Sequence, residues 1–411
     1  MTTQDASAPE VPTGIQLTAL DEEFRRDPYP MLERLRQAEP MHYDAIVKRW
    51  VLTEHDDVEA LVRDKAYAAD ARKALPGTYM ALFAPRDGRE PSMLMIDDPD
   101  HARLRGLVTK AFTPRAVERL APRIQEIVDE LLDAVEGKEQ FDLIASFAGP
   151  LPTIVISEML GIDPADQAQF KRWSDALGAG FDPAPTPEVQ RSLAEASTAL
   201  DAYLRRAIEA RRADPSDDLI SAMIAAEEAG DQLTTEEIVT MCGLLLTAGN
   251  LTTTDLIGNG TLALLQHPDQ MQVLRDDPSL VPHAVEEMLR FDSPVVETAR
   301  VATADIEIHG CPVKKGESIL VFLAAANRAP GLYEHPHEFD ITREDVHHHS
   351  FGGGVHFCLG APLARLEAQI AIATILRRFP SLRRVPGELE YRGLPAFRGL
   401  VRLEVEAAYT A

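Results

Sequence analysis

The chain predicts a mainly α protein with small β-sheets at its margins, an α+β class dominated by helix. Three observations carry this reading. Thr234-Thr235-Glu236-Glu237 is a capping box, and nothing stops the helix it opens before His267-Pro268. That helix, about 235–267, would be roughly 50 Å long at 1.5 Å per residue, and its apolar residues on nearly all sides from Ile238 to Leu246 imply burial. Helical apolar spacing recurs at 54–64, 100–120, 121–135, 153–160, 165–177 and 187–212. Strand signals are short and few: 42–43, 50–52, 300–308, 318–322 and 401–405.

No Gly/Ser linker, charge block or repeat divides the 411 residues, so residues 1–411 are expected to form one large domain. Residues 1–20 are expected to be a flexible N-terminus; the start is polar and lacks the apolar core of a secretory signal. No apolar run reaches the roughly 18 residues of a spanning helix. The three cysteines, Cys242, Cys311 and Cys358, argue for a reducing compartment. A cytoplasmic monomer without a membrane partner is the expectation. The net charge of −25 disfavours nucleic acid and anionic lipid. Arg103, Arg105, Lys110, Arg115 and Arg365 run against that charge, either as a solvated face or as a basic patch for an acidic electron donor.

The proline-rich run Phe181 to Pro187 cannot continue a helix and is a natural place for a substrate lid. His347, His348 and His349, with His335 and His337 nearby, tempt a metal reading. Consecutive loop histidines cannot all face one ion, so a solvated loop is preferred.

The stretch Phe351-Gly352-Gly353-Gly354-Val355-His356-Phe357-Cys358-Leu359-Gly360 sets one cysteine directly before an apolar helix, 359–379, with Pro362 in its first turn. A thiolate at Cys358 would face the free N–H groups and positive dipole end of that helix. Glycines would let a flat cofactor approach the backbone. Such a site is what a haem iron with an axial thiolate needs; a buried structural cysteine is the alternative for an isolated Cys–Gly pair. The loop resembles the cysteine-ligand loop of cytochromes P450, and Ala361, Leu363, Ala364, Arg365 and Glu367 continue the match.

The resemblance implies the cytochrome P450 fold and haem b, with Cys358 as axial ligand of the iron and Phe351, Gly352 and Gly360 shaping the loop (351–360). Glu287 and Arg290 resemble the family's ExxR motif and Arg343 the arginine of its meander, a buried structural network. His101, Arg105, Arg300 and His356 are implied contacts of the haem propionates. Ala248-Gly249-Asn250-Leu251-Thr252-Thr253 resembles the oxygen-activation segment, which makes Thr252, Thr253, Gly249, Ala248 and Asn250 the catalytic candidates. One departure is plain: Leu251 stands where the family carries an acid linked to proton delivery. Asn250 and Asp255 are the nearest substitutes. The expected substrate wall is Leu244, Thr247, Ala248, Leu251, Val295, Val296, Phe397 and Phe83, with Tyr79 and Met80 beside it. Glu297 either binds a polar or cationic group there or faces outward.

The implied activity is a monooxygenase that places one atom of O2 in a small hydrophobic substrate. Electrons would come from an acidic ferredoxin and its NAD(P)H-dependent reductase. A peroxide-driven oxygenase, prompted by Leu251, and a non-enzymatic haem-based gas sensor are the other readings.

Overall fold

The capping box folds as the sequence dictates. Thr234 Oγ1 accepts from the Glu237 amide at 3.2 Å, while a Glu237 carboxylate oxygen accepts from the Thr234 amide at 2.8 Å. The helix runs Thr235–Gln266 and ends before Pro268, which opens the next helix. In the computed structural model, which describes residues 11–85, 91–182, 185–228 and 233–407, this helix is the axis of the fold. Pro150–Met159, Gln167–Gly178, Pro187–Ala213, Val281–Phe291 and Ala361–Arg378 pack around it. Gly260 explains one close approach: a Cβ there would lie 2.6 Å from the Met288 sulfur.

Strands stay at the margins. One five-stranded sheet has the order Met41–Asp44, Arg49–Leu52, Ser318–Val321, Thr298–Ala302, Tyr67–Ala68. Only the pairing of Arg49–Leu52 with Ser318–Val321 is parallel. A three-stranded sheet joins Gln140–Asp142, Glu404–Glu406 and Arg383–Arg384, and Ile306–Ile308 pairs with Cys311–Val313 as a hairpin. The mainly helical architecture is as expected.

Several expectations need correction in detail. The single helix expected over 100–120 is three pieces: Asp100–Thr109, a tight turn Lys110–Phe112, and Pro114–Glu118. Pro114 forces Thr113 into an extended conformation, and the Thr113 hydroxyl then caps the Ala116 amide. The strand expected at 300–308 is two, and that at 401–405 is displaced to Glu404–Glu406. Residues 1–10 of the expected flexible N-terminus lie outside the described residues. Residues 14–19 are packed, because the Gly14 amide donates to Asp44 Oδ2 at 2.9 Å and Leu17 is fully buried. In the expected lid, 183 and 184 lie outside the described residues; Phe181 stacks edge-on against Phe397 with centroids 4.9 Å apart. Among the described residues no helix is long and apolar enough to cross a membrane, and no histidine cluster could hold a metal ion.

Candidate active site

A cavity of about 370 Å³ lies between the long helix, the cysteine loop and the Thr298–Ala302 strand of the large sheet. Cys358 opens onto it, so the thiol is exposed to the cavity rather than to a convex surface. The surrounding protein raises the thiol pKa by burial, opposed by the Gly360 and Ala361 amides, Arg105 and Arg365. The helix after the loop begins at Ala361 with Pro362 in its first turn, as expected. Gly352 has φ +65°, the left-handed region that glycine enters freely. The Cys358 amide donates to the Phe351 carbonyl at 2.9 Å, closing the loop on itself.

The long helix gives the cavity one stripe at spacings of three and four: Leu244, Leu245, Ala248, Gly249, Thr252, Thr253 and Leu256. The Thr252 hydroxyl donates to the Ala248 carbonyl at 2.9 Å, one turn back. A Cβ on Gly249 or Gly360 would meet nothing within 4 Å, so both glycines border open space.

At one edge of the cavity His101, Arg105, Arg300 and His356 come together from a helix, a strand and the cysteine loop. The two imidazoles stack with centroids 4.1 Å apart, and His101 Nδ1 and His356 Nε2 are buried without hydrogen-bond partners. Burial, then Arg300 and His101, pull the His356 pKa down to about 3. Burial takes Arg300 down to about 10, against Asp97. Two guanidiniums, beside two imidazoles held towards the neutral form, suit an anionic guest that their charge and N–H groups can take.

Behind the cysteine loop, Glu287 and Arg290 are fully buried and paired at 2.6 and 2.8 Å. Arg290 also donates to the carbonyls of Asn327, Pro336 and Glu338. Arg343 approaches Glu287 at 3.4 Å and holds the Glu334 and His335 carbonyls. The adjacent Glu286 was not anticipated: it takes Arg365 bidentately at 2.7 Å and His348 at 3.2 Å. Burial alone would raise its pKa, but Arg365 and His348 bring it down to about 2. Asn327 joins the same support, giving Nδ2–H to Ser350 and accepting from the His349 amide.

Leu244, Ala248, Val295, Phe397 and Phe83 line the cavity as expected, with Tyr79 and Met80. Four expected residues do not. Asn250 points into the helix bundle, where it accepts from Thr153 at 2.8 Å and donates to Ser174 at 2.9 Å. Thr247 is buried and spends its hydroxyl on the Gly243 carbonyl. Leu251 packs near Gly178. Val296, next to Val295 in extended chain, faces the opposite side and joins Phe24 and Leu32 in a separate core. Asp255, the other substitute for an acid, pairs with Arg392 away from the cavity. Glu297 does not face outward: it is 4% exposed on the cavity wall. Glu367, quoted from the motif, also lines the cavity and burial raises its pKa to about 8.

These residues fit a haem. The open space beside Gly249 and Gly360, the thiol on one wall and the edge of two guanidiniums and two imidazoles suit a flat ring bearing two carboxylates. A family model described as Cytochrome P450 matches residues 47–387. Cytochrome P450 CYP107DY1 of Priestia megaterium is 47% identical over 352 residues, covering 83% of this chain and 85% of its own. Cytochrome P450 monooxygenase PikC of Streptomyces venezuelae is 42% identical over 405 residues, 96% of this chain and 94% of its own. The crystal structure of myxobacterial cytochrome P450 CYP267B1 with myristic acid superposes with a TM-score of 0.88 at 40% identity, over 94% of this chain and 98% of that one. A match of this extent, in sequence and in fold, places the chain in the cytochrome P450 family: it is a monooxygenase of the class that binds haem b through a cysteine thiolate.

Proposed function

We propose that this chain hydroxylates a small, largely apolar substrate, with Cys358 as the axial ligand of the haem iron. One observation carries the reading. The Cys358 thiol, the Thr252 face of the long helix and the His101, Arg105, Arg300 and His356 edge all border one cavity. When bound, the haem supplies O2 binding and thiolate-assisted O–O cleavage.

The chain's own residues do the rest. His101, Arg105, Arg300 and His356 would take the two propionates, the guanidiniums by charge and the imidazoles through their unpartnered nitrogens. Arg105 also donates to the Phe357 carbonyl at 2.6 Å, so it ties its helix to the cysteine loop. Glu287, Arg290, Arg343, Glu286 and Arg365 hold that loop against the helices behind it. Thr252 places a hydroxyl on the cavity wall at the segment where the family moves protons. With Leu251, Asn250 and Asp255 off that wall, water held by Thr252 is the proposed proton source.

The substrate side is apolar: Leu244, Val295, Phe397, Phe83 and Met80 form it. Met80, Met93 and Met95 give one flank adaptable side chains. The myristic acid in the myxobacterial relative fits the same kind of pocket. For electrons we favour an acidic ferredoxin and its NAD(P)H-dependent reductase. Lys110 and Arg115 are exposed, as are Val355 and Phe357 of the loop, and the short helix of Arg115 packs on the helix after Cys358, whereas Arg103 and Arg365 are engaged with Glu237 and Glu286. The whole chain, 1–411, is taken as one unit, and its unpaired cysteines suit a reducing cytoplasm.

The test is reconstitution with ferredoxin, reductase, NADPH and labelled O2, on compounds chosen by a low-spin to high-spin Soret shift. One labelled oxygen in the product is expected. Leu251 keeps a peroxide-driven oxygenase as the second reading; turnover with peroxide, and none with the electron-transfer chain, would replace the first by it.

A further inference from the structure

On the substrate side, among Leu244, Val295, Phe397, Phe83 and Met80, the cavity wall carries one carboxylate, Glu297. There, Tyr79 donates its hydroxyl to Glu297 Oε1 at 3.0 Å, both residues being about 5% exposed or less. The Arg49 guanidinium lies over the Tyr79 ring, 4.6 Å from its centroid. Asp44 accepts from Arg49 Nε at 3.3 Å, and both are fully buried. These residues come from two strands of the sheet, the loop before the Asp100–Thr109 helix, and the segment leading into Thr298–Ala302.

The cluster is incompletely satisfied. Asp44 accepts from the Gly14 and Ile46 amides, at 2.9 and 3.1 Å, and takes Arg49 through Nε alone. Arg49 Nη1 and Nη2 and Glu297 Oε2 have no hydrogen-bond partner. Buried polar atoms are rarely left so; Arg49 lies behind the wall, and Glu297, which lines the cavity, is the member that a ligand donor can approach. Burial raises Glu297 to about 7, against Arg49 and the Tyr79 hydrogen bond, which fits a carboxylate still wanting a donor.

Resting on the function above, we propose that Tyr79 and Glu297 are the polar anchor of the substrate pocket, and that the substrate is an apolar molecule whose hydroxyl donates to Glu297. Engagement at this end would hold the apolar remainder in one orientation beneath the iron and so select which carbon is oxidised. A purely structural ion cluster would show no preference for a donor on the ligand.

The experiment uses the haem-loaded full chain and two probes, dodecanol and its methyl ether, which differ only in the donor. Affinities come from the Soret shift or from displacement of phenylimidazole. Measured at about pH 8.5, above the raised pKa of Glu297, the wild type should bind the alcohol about tenfold tighter than the ether, the advantage of a hydrogen bond to a charged acceptor. Glu297→Gln keeps an uncharged acceptor and should reduce the ratio to about threefold. Glu297→Val should bring it to unity, with the ether bound as well as before. Equal affinities in the wild type, or an alcohol that does not bind, overturn the anchor even if Glu297→Val fails to fold. The carbon monoxide band separates the two failures: an intact thiolate band with equal affinities sinks only the anchor, and a missing band sinks the haem-thiolate reading.

Discussion

Glu286 and Arg365 meet in a bidentate pair, 2.7 Å at both contacts, that fastens the helix carrying Glu287 to the first turns of the helix after Cys358. The two are 79 positions apart in sequence, and Arg365 also covers the Phe351 ring at 4.5 Å. Glu286 is therefore a second mechanical link, beside Arg290–Asn327–Ser350, between the helix of the buried ion network and the cysteine loop.

This pair has a definite pH signature. Arg365 and His348 hold the Glu286 carboxyl at about 2, below its ordinary 4.5, so its stabilisation is present above 4.5 and lost as pH falls from there towards 2. Partial exposure of both side chains limits the contribution to about 1–3 kcal/mol. Urea midpoints measured from pH 7 to pH 2 should show Glu286→Gln less stable than wild type at neutral pH, with the gap closing in acid. A constant gap would remove the pair as its source.

Glu287 is a stronger case because it is fully buried. Glu287→Ala leaves Arg290 and the Asp340 amide without their shared acceptor. A loss of about 3–5 kcal/mol is expected, seen as a lower urea midpoint and a lower haem-to-protein ratio after purification.

Arg300 should be needed for cofactor retention more than for folding. Without haem it is a buried cation whose pKa burial lowers to about 10, so Arg300→Leu should leave the apoprotein's urea midpoint unchanged or raised. Haem loss to apomyoglobin should quicken by about tenfold, the weight of one charge-assisted hydrogen bond.

Thr252 is expected to act on the fate of electrons rather than on binding. In Thr252→Ala, NADPH consumption with substrate should persist while the fraction ending in product falls by roughly tenfold. An unchanged fraction would remove Thr252 from proton delivery.

Much of this was legible from residues, and the limits have physical causes. Thr234 and Glu237 announced the central helix because capping is a local interaction. Cys358 and its glycines were readable because a turn before a helix demands particular residue types in order. Facing was not readable. A helix apolar on nearly all sides has no polar face to orient it, so Asn250, Thr247 and Leu251 were assigned to the cavity with their neighbours Ala248 and Thr252. Val296 is a different case: adjacent residues of extended chain face opposite sides, so Val295 lines the cavity and Val296 does not, and nothing local says which side is the pocket. Glu286 and Asn327 were missed because their partners, Arg365 and Ser350, are distant in sequence.

Cys358 as the iron's ligand is tested most directly by the spectrum of the reduced protein under carbon monoxide. The wild type should absorb at about 450 nm, as a thiolate-ligated haem does, and Cys358→Ser should lose that band. A wild type without the band, or a serine variant that keeps it, would contradict the assignment.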